Sequence, residues 1–74
     1  YSRKQNAQTT EMRQMAMYIV REMTGLSTEI IGREFSRDHS TVVYSLRKFT
    51  ERYNSDSKVR SIVDNIMKNI RDGR

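Results

Sequence analysis

The 74-residue chain has no cysteine, no proline and no tryptophan, only three glycines and a single histidine. Without cysteine there is no disulfide to staple the fold and no thiolate to hold a metal. One histidine and no cysteine argue against a structural zinc site. Few glycines and no proline suit an all-helical chain, because these two residues weaken or break helix interiors. No apolar run approaches the roughly 20 residues needed to span a bilayer, and no signal peptide is visible. The sequence opens on Tyr1 rather than Met, as expected of a piece of a larger protein.

Positive charge and periodic apolar residues are present instead. Fourteen Lys and Arg against nine Asp and Glu give a formal charge of +5. Such a balance favours polyanions, either nucleic acid or an anionic membrane surface. The hydrophobic fraction is low, 35%, but it is concentrated in helical repeats, so the chain is expected to fold. The length allows one small domain.

Residues 1–10 have no apolar period and carry Arg3 and Lys4. They read as a flexible arm or the end of a linker, ahead of a domain over residues 11–74. Thr9 or Thr10 is placed to cap a first helix whose apolar positions are Met12, Met15, Ala16, Ile19, Val20 and Met23. Thr24-Gly25 ends it, with glycine suited to a left-handed C-terminal position. Ser27 caps a short helix, Thr28 to Phe35, with Ile30, Ile31 and Phe35 inward. Gly32 in its middle costs about 1 kcal/mol relative to Ala, which a close approach of the next helix would explain. Ser36-Arg37 is a tight turn.

A third helix runs from about Asp38 to Tyr53. Val42, Val43, Leu46, Phe49 and Tyr53 form its buried face, and Arg47, Lys48, Glu51 and Arg52 its exposed one. Arg47 and Arg52 either pair with Glu51 or are solvated. Ser57 caps the last helix, Lys58 to about Asp72, whose stripe is Val59, Ile62, Val63, Ile66, Met67 and Ile70. The expected architecture is all-α, with four main helices and a central helix-turn-helix. Every apolar stripe has a place in one core, which predicts a monomer.

Catalysis finds little support. His39 beside Asp38 is not oriented as a general base is by its carboxylate, and no second base, phosphate loop or metal-ligand set accompanies it. The chain is expected to be no enzyme and to take no cofactor. DNA reading fares better. A helix start in the major groove presents its first-turn side chains to base edges. Asp38, His39 and Ser40 have suitable donors and acceptors. Asp38 serves equally as a pure N-cap, and His39 on its own reads first as a solvated surface residue. Thr41 is placed for phosphate, aided by the helix dipole. Arg37 and Lys48 flank that helix, and Arg13, Gln14 and Arg21 lie on the polar side of the first. Each is a candidate phosphate contact or a solvated side chain.

The block Arg37-Asp38-His39-Ser40-Thr41-Val42 resembles the opening of the recognition helix in the C-terminal DNA-binding domain of DnaA, the bacterial chromosomal replication initiator. Arg13-Gln14-Met15-Ala16-Met17-Tyr18 followed by Arg21-Glu22-Met23-Thr24 resembles a second block of that family. Ile31-Gly32 with Phe35 resembles a third, and Arg47-Lys48 follows at the family spacing. The resemblance covers roughly Arg13 to Lys48. It implies a Trp-repressor-like helix-turn-helix that recognises A·T-rich boxes in replication origins. Asp38, His39 and Ser40 would then contact bases, while Thr41, Arg13, Gln14 and Arg21 would contact phosphates. An upstream Arg would enter the minor groove, here Arg3 or Lys4.

Three departures stand out. A single Ser36 replaces two glycines before the block, which is expected to tilt the recognition helix. Thr28-Glu29 replaces a Leu-Pro pair, removing an apolar thymine contact and placing a carboxylate near phosphate. Gln5 falls where the minor-groove Arg belongs. The resemblance implies double-stranded DNA as partner, no membrane role, a bacterial cytoplasmic, nucleoid-associated location, and ATP bound by a separate domain of the parent. Rival readings are a helix-turn-helix transcriptional regulator and a helical protein-interaction module with an incidental basic surface.

Overall fold

The computed structural model describes residues 6–73, with side chains described from Thr10 onward. Four helices follow one another: α1 (Asn6–Thr24), α2 (Thr28–Phe35), α3 (His39–Ser55) and α4 (Ser57–Arg71). The fold is all-α with a central helix-turn-helix, α2 and α3. Helix α1 starts ahead of Thr9 and Thr10, so both lie inside it and neither caps it. It ends as expected at Gly25, whose φ of 72° is left-handed and whose N–H donates to the Arg21 carbonyl at 2.9 Å. Ser27 caps α2, its Oγ accepting from Ile30 N at 3.2 Å. The cap of α4 is Asp56 rather than Ser57. Its carboxylate accepts from the N–H groups of Lys58 and Val59 at 3.0 and 3.3 Å, and a charged acceptor at a helix start also meets the positive end of the dipole.

The core has two parts. Ile19, Phe49, Val59 and Val63 join α1, α3 and α4, with Met15, Tyr18, Met23, Tyr53, Ile66 and Met67 packed around them. Met17, Ile31 and Val42 join α1, α2 and α3, with Val20, Leu26, Phe35 and Leu46 around them. Helices α1 and α3 belong to both. This corrects the single stripe expected on α1. Met17 is 0% exposed and Met12 is 63% exposed. Met17 and Ile19 are roughly 200° apart on a helical wheel, so the helix is buried on two sides at once.

The α4 stripe is wider than the core it covers. Val59 and Val63 are buried, whereas Ile62 and Ile70 are 50% and 52% exposed. On α2, Ile31 is buried and Ile30 is exposed. On α3, Val42 and Phe49 are buried as expected, Val43 is only half-buried, and the small Ser45 is buried with them. The α3–α4 seam is closed by Tyr53, whose O–H donates to Asp64 Oδ1 at 2.6 Å. The Arg60 guanidinium lies 5.9 Å from the Tyr53 ring centroid and donates to the Tyr53 carbonyl at 3.3 Å.

Candidate nucleic-acid interface

The candidate surface is built by the turn between α2 and α3. Ser36 takes the left-handed conformation, φ 57° and ψ 44°. Its N–H donates to Arg33 O at 3.3 Å, and the N–H of Arg37 donates to Gly32 O at 2.8 Å. These two bonds are those of a Schellman motif, so one serine closes the turn that a glycine usually closes. Gly32 is required by the same closure. A Cβ there would lie 2.6 Å from Arg37 O and 3.3 Å from Val42 Cγ2. The glycine lets α3 leave the turn directly against α2, as its cost in mid-helix suggested.

Asp38 then caps α3, its Oδ1 accepting from Thr41 N at 3.0 Å. Hydrogen bonding from the Thr41 side chain first, and its backbone N–H second, holds the Asp38 carboxyl below its ordinary pKa. The carboxylate is therefore charged, and its Oδ1 is committed to the cap. His39 and Ser40 follow, both exposed. His39 Nδ1 lies 3.2 Å from Thr28 Oγ1, a contact between the first residues of α3 and α2. Behind this row Val42 and Phe49 lock α3 into the two parts of the core.

The exposed face of α3 is broader than the sequence reading allowed. His39, Ser40, Val43, Tyr44 and Arg47 line one shallow concavity. Tyr44 is 56% exposed. Val43 was expected in the core, Arg47 is on the exposed face as expected though not as a neighbour of His39, and Tyr44 was not assigned. Their spacing of three, four and seven residues from Ser40 was the available signal, since it keeps them on one helical face.

The expected phosphate contacts divide. Gln14 and Lys48 line one groove between α1 and α3, together with Thr10, Glu11, Glu51, Arg52 and Ser55. Arg52 does not pair with Glu51. It forms an ion pair with Glu11 at 2.9 Å, tying the start of α1 to the end of α3. This pair is exposed, so its worth is at most about 1 kcal/mol. Arg13, Arg21 and Arg37 line neither concavity. Arg21 uses Nη1 to donate to the Leu26 carbonyl, and Arg37 uses Nη1 to donate to its neighbour Ser36 O at 3.1 Å. Glu29 stands exposed in the first turn of α2, where the helix dipole favours a carboxylate. Arg3 and Lys4 lie outside the described residues. Among the described residues there is no cluster of His, Asp and Glu able to hold a metal ion, and no helix is long and apolar enough to cross a membrane.

A short helix, a left-handed turn and a capped second helix with an exposed polar first turn define a helix-turn-helix domain. Residues 1–49 match the profile described as the bacterial dnaA protein helix-turn-helix. This chain belongs to that family. It is 36% identical over 70 residues to a protein of Caldanaerobacter subterraneus subsp. tengcongensis named chromosomal replication initiator protein DnaA, covering 95% of this chain and 16% of that protein. The protein of that name from Deinococcus deserti is 37% identical over 59 residues, covering 80% of this chain and 13% of its own length. The one from Thermodesulfovibrio yellowstonii is 31% identical over 70 residues, covering 93% and 16%. The chain thus spans only about a sixth of the curated relatives it matches. No solved structure matches significantly.

Proposed function

We propose that this domain binds double-stranded DNA sequence-specifically, at origin boxes, as one part of a replication initiator. The observation that carries this reading is the exposed Asp38-His39-Ser40 row on a helix whose opposite face is held in both parts of the core. A rigid element presenting short donors and acceptors is what base reading in the major groove needs. Asp38, His39 and Ser40 contact base edges. Thr41, Arg13, Gln14, Arg21, Arg37 and Lys48 contact phosphates, which set register and salt dependence but not sequence. Arg3 or Lys4 reaches the minor groove. The domain acts as a monomer in the bacterial cytoplasm, on the nucleoid, and is itself neither an enzyme nor a cofactor binder. ATP belongs to a separate domain of the whole protein.

Fluorescence anisotropy with an A·T-rich origin-type box and a scrambled duplex of equal composition tests this. A preference of about 10³ or more, with both affinities falling as salt rises, is expected. His39→Ala should cost about 1–3 kcal/mol of discrimination at one base pair. Lys48→Ala should weaken both duplexes alike and lower the salt slope by about 1. Equal binding of the two duplexes by the unaltered domain would overturn the proposal.

A further inference from the structure

The contact between Thr28 and His39 joins the first turn of α2 to the first turn of α3. The two side chains start from anchored backbone. Ser27 caps α2 beside Thr28, Asp38 caps α3 beside His39, and the far end of α2 is pinned to the turn at Gly32 and Arg37. Thr28 is half-buried, and among the described residues its hydroxyl has no hydrogen-bond partner other than His39 Nδ1, at 3.2 Å.

We infer that Thr28 is a positioning residue for base reading: its hydroxyl donates to His39 Nδ1 and so presents Nε2–H outward as a donor. This rests on the DNA-binding reading and deepens it. A ring nitrogen that accepts a hydrogen bond obliges the other to carry the proton in neutral imidazole, and Nε2–H is the tautomer such side chains intrinsically favour. A donor at Nε2 selects the base edge beside it, one that offers an acceptor in the major groove: guanine N7 or O6, adenine N7 or thymine O4. It disfavours the amino groups of cytosine and adenine. With an apolar residue at position 28 the ring is free to turn over and to exchange tautomers, and that selection is lost.

Two measurements on Thr28→Val and Thr28→Ser test this. His39 is the only histidine in the sequence, so long-range proton–nitrogen NMR reports its ring alone. At a pH where the imidazole is neutral, the unaltered domain and Thr28→Ser should show a bare Nδ1 and a protonated Nε2, and Thr28→Val a shift toward a tautomer mixture. In the anisotropy experiment, Thr28→Val should lower discrimination at the base pair read by His39 roughly 2- to 10-fold, the worth of one hydrogen bond. It should have no further effect in a His39→Ala background, and Thr28→Ser should restore it. An unchanged ring spectrum in Thr28→Val, or unchanged discrimination where the unaltered domain does discriminate, overturns this inference alone. An unaltered domain without discrimination overturns the DNA-binding reading, and the role of Thr28 with it.

Discussion

Arg37 meets Gly32 through both of its backbone groups. Its N–H donates to the Gly32 carbonyl at 2.8 Å, and its own carbonyl oxygen occupies the space a Cβ on residue 32 would need, at 2.6 Å. The turn into the recognition helix is therefore closed by main chain at Gly32, where the nearest side chain of that helix is Val42, its Cγ2 3.3 Å from the same Cβ position. Gly32→Ala would gain about 1 kcal/mol of helix propensity. The clash is with a backbone atom that cannot rotate aside, and overpacking of this kind costs typically about 1–3 kcal/mol. Net destabilisation of about 1–2 kcal/mol is expected as a lower urea midpoint. An unchanged or higher midpoint would show that the turn yields freely.

The same turn contains a removable strain. Ser36 is the one non-glycine residue with positive φ among the described residues, a conformation that costs an L-residue roughly 1–2 kcal/mol. Glycine has no such cost but loses roughly 0.5–1 kcal/mol more conformational entropy on folding. Ser36→Gly should therefore raise stability by about 0.5–1 kcal/mol, measured by the same urea titration. Lower stability in Ser36→Gly would mean that the serine side chain contributes something the backbone geometry does not reveal.

The corrected core of α1 makes a paired prediction. Met17 is fully buried and Met12 exposed. Met17→Ala should cost about 2–5 kcal/mol, a large part of the roughly 4–10 kcal/mol expected of a domain this size. Met12→Ala should stay within about 0.5 kcal/mol. Comparable losses at the two positions in thermal or urea unfolding would return α1 to a single buried stripe.

Tyr53 predicts a dependence at high pH. Its hydrogen bond to Asp64 first, and partial desolvation second, raise its pKa from 10.0 to about 12. The folded state thus holds this proton more tightly than the unfolded state. Stability from this source is complete below pH 10.0 and is lost as pH rises to about 12. Tyr18 is raised in the same direction, first by burial, so the informative quantity is the difference between the unaltered domain and Tyr53→Phe. The Phe variant should lose stability less steeply over that range in urea titrations followed by circular dichroism. Parallel pH profiles would remove the Tyr53–Asp64 bond from the account.

The amino-acid sequence by itself determined the all-helical class, the four helices and the place of the turn. These depend on local physics: Ser27 and Asp38 as caps, Gly25 at a helix end, and apolar residues at helical spacing. It also marked Asp38, His39 and Ser40 as a row, because consecutive residues opening a capped helix share its first turn wherever that helix packs. Only the tertiary structure decided which apolar residues are core. Met17 is buried and Met12 is not because α1 is enclosed on two sides by different helices, and Ile62 and Ile70 are exposed because no element among the described residues extends over them. It likewise decided the pairings between distant residues. Arg52 meets Glu11, Gln14 shares a groove with Lys48, and Thr28 meets His39. Such contacts depend on how helices cross; for α2 and α3 the crossing is constrained by the close fit of Gly32 against Arg37 and Val42, which no side-chain period encodes.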